Sequence, residues 1–272
     1  MNPLQRQLEQ ACSGGGKALI PFLTAGDPDV ETTAELLEAL TGVATACELG
    51  IPYSDPIADG PVIQASYTRA LESGVSLERI AGMLACRPTP SPLPIVWMVS
   101  YAIIHRRGLE RFVALARQSG VSGLIVPDLL FEESEPLRTI CDQEELSLIQ
   151  LITPTTTPDR GRRIAEASRG FLYYVSVAGV TGERDALPAE LADDVARVRQ
   201  WSPVPVCVGF GISRPEQARR VAEVADGVII GSAFVRELEG AAESESARDT
   251  AVSRIAEKAR AFAAALRGGE ES

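Results

Sequence analysis

Short runs of apolar, β-favouring residues recur along the chain, each followed by a stretch whose apolar residues fall three and four apart. Eight such runs stand out, at 18–24, 44–51, 95–99, 123–126, 148–153, 171–177, 204–208 and 227–230. Between them, segments such as 30–40, 109–118, 160–167, 189–200 and 215–224 carry the spacing of amphipathic helices. Ser213, Arg214 and Pro215 open the last of these with a proline in the first helical turn. Runs this apolar leave no solvated face, so the alternation predicts a parallel sheet covered by helices. Eight strands spread over the whole length predict an α/β fold, a closed (β/α)8 TIM barrel, rather than an open doubly wound sheet. An open sheet of the dinucleotide-binding kind calls for G-x-G-x-x-G after the first strand, where Ala25-Gly26-Asp27-Pro28 stands instead. Residues 2–12 read as an extra N-terminal helix under the barrel floor, and 246–266 as the last outer helix. No interdomain linker is evident. The expectation is one domain over 1–272, with the barrel at about 17–266 and a fraying polar tail at 267–272.

A length of 272 residues suits one such barrel. The 26 Lys and Arg against 37 Asp and Glu leave a net charge of −11, which disfavours nucleic acid or an anionic membrane as partner. No apolar run approaches the ~20 residues of a membrane span. The first ten residues lack the apolar core of a signal peptide, so a cytoplasmic enzyme is expected. Cys12, Cys47, Cys86, Cys141 and Cys207 form no C-x-x-C pair and read as small buried hydrophobes in a reducing compartment. His105, the only histidine, reads as a loop residue beside Arg106 and Arg107. One histidine without clustered cysteines favours neither a zinc site nor a Ser-His-Asp triad, and no metal is expected. The only lysines are Lys17, ahead of the first strand, and Lys258, in an outer helix. Neither reaches the interior as a Schiff-base aldolase requires. Carboxylate acid–base chemistry remains.

The site of such a barrel lies at the C-terminal ends of the strands. In the second strand Leu49 and Ile51 suit the helix layer, which turns Glu48 inward. A carboxyl there should have a raised pKa; a slip of one residue in strand parity would instead leave it in a solvated loop. The segment from Pro52 to Pro61 is a long loop over the site, although its Asp59-Gly60 pair alone reads as a simple turn. Tyr173 and Tyr174 have opposite parity, so one of them reaches the interior. The run Ala178-Gly179-Val180-Thr181-Gly182 is similar to a hinged lid. Gly209-Phe210-Gly211 and Gly231-Ser232 follow the seventh and eighth strands, where this fold often cradles a phosphate on backbone N–H groups. Two tight turns are the alternative reading of these glycines.

The motifs ALIPFLTAGDPD, ELGIPYSDPIADGPVIQ, SVAGVTGERDALP, PVCVGFGIS and ADGVIIGSAFVREL, in that order from about residue 17 to 238, resemble the tryptophan synthase alpha subunit family. The resemblance implies a lyase that cleaves indole-3-glycerol phosphate to indole and glyceraldehyde 3-phosphate. It implies Glu48 as catalytic acid/base, Asp59 as catalytic aspartate and Tyr173 as a tyrosine lining the site. It further implies Gly182, Gly211, Gly231 and Ser232 as the phosphate cradle. Phe22 and Phe210 would contact the indole, and Thr181 would be the lid threonine that meets the aspartate. No cofactor is implied for this chain; pyridoxal phosphate would belong to a beta-subunit partner in an α2β2 complex. One departure falls after the third strand, where Tyr101 is followed by Ala102-Ile103 instead of the asparagine-proline common in the family. The alternatives are therefore a stand-alone lyase releasing free indole, or a non-catalytic subunit that activates a partner.

Overall fold

A computed structural model describes residues 2–56, 59–88, 91–176, 190–209 and 211–267. Its eight parallel strands close on themselves in chain order. They are β1 (Ala18–Thr24), β2 (Cys47–Gly50), β3 (Ile95–Met98), β4 (Val121–Ile125), β5 (Ser147–Ile152), β6 (Leu172–Val175), β7 (Val206–Gly209) and β8 (Gly227–Ile230). The helices are α1 (Pro3–Cys12), α2 (Val30–Leu40), α3 (Pro61–Glu72), α4 (Leu77–Ala85), α5 (Tyr101–Arg107), α6 (Leu109–Gln118), α7 (Glu135–Gln143), α8 (Pro158–Ala167), α9 (Leu191–Arg199), α10 (Pro215–Ala222), α11 (Ser232–Val235) and α12 (Glu245–Leu266). Among the described residues no helix is long and apolar enough to cross a membrane.

Strand alternation sorts the side chains into two apolar layers. Ile20, Val96, Ile125, Ile149, Cys207 and Ile229 fill the barrel, while Leu49, Trp97, Leu124, Leu148 and Val208 pack outward against the helices. The N-terminal helix closes the floor: Leu4 and Leu8 of α1 are fully buried and join the interior layer. Leu4 fits because Gly123 and Gly170 carry no side chain; a Cβ on Gly170 would lie 2.8 Å from its Cδ2. Asn2 caps this helix by accepting from the Leu4 N–H, and its amide donates to the Ser122 and Glu145 carbonyls.

At the opposite end, two polar contacts tie α3 to β1 and to the turn that follows it. The Thr24 and Ser66 hydroxyls lie 2.6 Å apart, and Arg69 grips the fully buried Asp27 carboxylate with two hydrogen bonds of 2.9 and 2.6 Å. Paired bonds of this kind are directional and satisfy a carboxylate that burial would otherwise penalise. They set the angle at which α3 leaves the loop over the barrel mouth.

Three sequence-based expectations change. The second strand covers only Cys47–Gly50, because the Val43 and Ala44 N–H groups still bond to Leu40 and end α2. His105 lies in helix α5 instead of a loop. Ser100 caps that helix on Ala102, and His105, Arg106 and Arg107 occupy its last turn, where cations meet the negative end of the dipole. The cysteines also divide: Cys47, Cys141 and Cys207 are buried, Cys12 is half-buried and Cys86 is exposed at the end of α4.

Candidate active site

A cavity of about 560 Å³ opens at the C-terminal ends of the strands. Its floor comes from the inward positions of β1, β2, β3, β6 and β8: Phe22, Glu48, Met98, Tyr173 and Ile229. Register pairing sets Phe22 beside Glu48, and Glu48 beside Val96. Glu48 is thus held inward from both neighbouring strands, as its parity predicts. It is fully buried, and neither carboxyl oxygen has a hydrogen-bond partner among the described residues.

Burial, followed by the charge of Asp59, pushes the Glu48 carboxyl up to about 8. Asp59 lines the same cavity from the loop before α3. Its carboxyl is pushed up to about 6, first by burial and then by Asp128. The loop is anchored at the helix side by the Gln64 amide, which donates to the Pro56 and Asp59 carbonyls at 3.2 and 2.8 Å. At neutral pH the pair therefore divides into a neutral Glu48 and an ionised Asp59. Their titrations are coupled through mutual repulsion.

Two inward glycines make room for the aromatic side chains. A Cβ on Gly50 would lie 2.5 Å from the Phe22 ring and 2.7 Å from the Tyr67 hydroxyl, and one on Gly209 would collide with the Tyr173 hydroxyl. Tyr173 is the inward tyrosine; Tyr174 turns to the helix layer, where its hydroxyl donates to Asp194 at 3.0 Å. On the far wall Gly211, Gly231 and Ser232 line the cavity together, with Gly231 capping the short helix α11. Gly211 has φ +65°, the left-handed region that favours glycine.

Seven of the sequence-derived site residues therefore line one cavity: Phe22, Glu48, Asp59, Tyr173, Gly211, Gly231 and Ser232. The expectations for Thr181, Gly182 and Phe210 lie outside the described residues. Sequence reasoning missed others. Arg236, four residues beyond Ser232 and so on the same helical side, also lines the wall formed by Gly211, Gly231 and Ser232. Between β4 and α8 the cavity is walled by Leu129, Phe131 and Arg160; Arg160 pairs with Glu132 at 2.8 and 3.0 Å, and Arg163 lies over the Phe131 ring at 5.4 Å. No local signal marks these residues, because the segment after β4 and the first turn of α8, remote in sequence, supply them. A second cavity of about 220 Å³ shares Asp59, Met98 and Pro127 with the first and extends along Tyr53, Tyr67 and Asp128. Among the described residues no three His, Cys, Asp or Glu side chains gather as metal ligands.

Fold and site together define a (β/α)8 barrel whose mouth holds a buried carboxyl pair facing a glycine-rich wall. The family model for the tryptophan synthase alpha chain matches residues 8–267, and the chain belongs to that family. A tryptophan synthase alpha chain from Rhodopirellula baltica is 51% identical, with 98% of each chain covered. The solved tryptophan synthase subunit alpha of Legionella pneumophila superposes with a TM-score of 0.86 at 34% identity, covering 98% of this chain and 99% of that one. A chain of the Pyrococcus furiosus tryptophan synthase α2β2 complex superposes at 0.82 with 37% identity, covering 90% and 97%.

Proposed function

We propose that this chain is a lyase that cleaves indole-3-glycerol phosphate into indole and glyceraldehyde 3-phosphate, the alpha reaction of tryptophan synthase. The observation that carries the reading is Glu48: a buried carboxyl without a hydrogen-bond partner among the described residues, neutral at pH 7, in a cavity shared with an ionised aspartate. A buried polar group left unpaired has a cost, and a substrate that pairs with it relieves that cost.

Cleavage of the bond between indole C3 and the glycerol carbon needs an electron acceptor. Protonation at C3 turns the ring into an iminium, which takes up the bonding electrons when the bond breaks. Glu48 gives that proton and, as carboxylate, takes the proton of the adjacent glycerol hydroxyl as it becomes the aldehyde. Asp59 stabilises the positive charge at the indole nitrogen while the iminium exists. Phe22 and Tyr173 bound the ring apolarly, and Met98 lines the same wall. The phosphate lies against Gly211, Gly231 and Ser232, whose backbone N–H groups need no lysine. The lid role of Thr181 and the cradle and ring contacts of Gly182 and Phe210 complete this reading by family resemblance.

The partner in this reading is a tryptophan synthase beta subunit, which carries the pyridoxal phosphate, in an α2β2 complex; the Pyrococcus relative is named as such a complex. The test is indole release from indole-3-glycerol phosphate by the purified chain, alone and with a beta subunit. Slow release that is strongly stimulated by the partner is the expected result. Fast release without stimulation indicates a free-indole lyase, the reading favoured by Ala102-Ile103 after β3. No release under either condition removes the substrate assignment.

A further inference from the structure

At the floor of the barrel, on the face opposite the carboxyl pair, a third cavity of about 280 Å³ opens where the chain enters β3 and β4. Asn2, the segment after α4 and the last turn of α6 wall it. The strand pairing is irregular at this point. Ile95 pairs with Val121 but Val96 pairs with Gly123, so Ser122 is an extra residue in the manner of a β-bulge, a device that re-aims a side chain. Ser122 is only 5% exposed and lines the cavity, and its hydroxyl makes no hydrogen bond among the described residues. Two arginines line the same space. Arg117, in the last turn of α6, stands 4.0 Å from Glu145, a loose and exposed pair. Arg87, just after α4, is half-buried and makes no ion pair or side-chain hydrogen bond among the described residues. Burial comes first in pulling its pKa down, opposed by Cys47 and Glu38. Burial also holds the Cys47 thiol protonated, which leaves Glu38, on the exposed side of α2, as the counter-charge.

We propose that this floor cavity binds a small oxyanion, a ligand bearing a carboxylate or phosphoryl group, which Arg87 grips and the Ser122 hydroxyl orients. The site is separate from the lyase reading and stands or falls without it. The charged side chains of its wall are Arg87, Arg117 and Glu145, which leave a positive balance in a chain of net charge −11. A guanidinium drawn partly out of water without a partner carries a cost that a paired anion relieves. Its planar fork matches two oxygens of a carboxylate or phosphate, and it keeps its charge at any working pH. Glu145 repels an anion from the side of Arg117, so Arg87 is the principal contact. Asn2 belongs to the wall and not to the donor set: its amide is spent on the Ser122 and Glu145 carbonyls and its oxygen on the Leu4 N–H. The volume lies near the lower end of small-molecule pockets, about 300 Å³, which suits a small metabolite in preference to a nucleotide.

The deciding measurement follows the Gly120 and Ser122 amides by nitrogen-15 NMR while the intact chain is titrated with inorganic phosphate, with succinate, and with sodium chloride at matched ionic strength. Saturable shifts with phosphate or succinate, absent with chloride, are the expected result. Whichever of the two saturates at the lower concentration tells a phosphoryl site from a carboxylate site. The Gly211 and Gly231 amides report the barrel mouth separately, so phosphate taken up there is not mistaken for floor binding. Arg87→Gln should weaken the floor binding at least about tenfold, the scale of a hydrogen bond to a charged group, without altering the response at Gly231. Arg87→Lys keeps the charge and loses the fork, and should fall between the two. Ser122→Ala removes one hydroxyl and should cost about threefold or more; it carries the test if Arg87→Gln fails to fold. Shifts that never saturate, shifts that chloride reproduces, or binding that survives both Arg87→Gln and Ser122→Ala unaltered would each overturn the proposal.

Discussion

Two carboxyls carry the proposed chemistry, and their surroundings divide the labour between them. Glu48 is sealed at the inward position of β2 and stays protonated past neutrality, whereas Asp59 ionises about two units lower. Glu48→Gln keeps the volume and loses the proton traffic. It is expected to retain glycerol phosphate binding and to lose at least ~10²-fold in kcat, the usual scale for a general acid–base residue. Near-native steady-state turnover would remove the role assigned to Glu48. Strand parity alone turned Glu48 inward, since Leu49 and Ile51, both of the opposite parity, demanded the helix layer. Asp59 was not legible that way: its Asp-Gly pair looks like a turn, and its role came from family resemblance. Tyr67 and Arg236 had no local signature. Each reaches the cavity from a helix whose position depends on how the preceding loop folds back over the barrel.

At the scale of strands and loops, the mouth of the barrel is shaped by what the inward positions lack. Gly50 and Gly209 sit where a Cβ would strike Phe22, Tyr67 or Tyr173, while a Cβ on Gly231 would meet Phe22 at an ordinary 3.7 Å. These distances separate two kinds of substitution. Gly209→Ala should displace Tyr173 and lower kcat while leaving the affinity for glycerol phosphate within about threefold. Gly231→Ala should be tolerated, whereas Gly231→Val, which projects into the cradle, should raise KM for the phosphorylated substrate about tenfold, roughly 1.4 kcal/mol. Calorimetric titration with glycerol phosphate checks both; unchanged affinity in Gly231→Val would remove the cradle from this wall. The eight strands and most helices were legible because their apolar spacing is local. Helix α5 was not, since Tyr101–Arg107 form a helix of about two turns with one fully buried side chain, Ile104. Such a short helix is held by its serine cap and its packing more than by its own pattern.

For the molecule as a whole, the buried acid sets a pH dependence of stability. Glu48 has its folded pKa raised from the model-peptide range to about 8, so the folded state holds a proton that the unfolded chain releases at lower pH. Stability from this group is fully present below about pH 4.5 and is lost as pH rises toward and through 8. Urea midpoints of the wild type should therefore fall between pH 5 and pH 9, and Glu48→Gln should show a flatter dependence; parallel curves would contradict a neutral buried Glu48. Secondary-structure alternation, the number of strands and the inward turn of Glu48 were already written in the order of residues, because each follows from side-chain period and the need to bury apolar faces. The closed register, the plug of α1 under the floor and the meeting of Phe22, Glu48, Asp59, Tyr67, Tyr173 and Gly231 were not. Those depend on long-range closure of the barrel, which brings residues more than two hundred positions apart into one mouth. There burial and mutual repulsion change the protonation of groups that, along the unfolded chain, titrate independently in water.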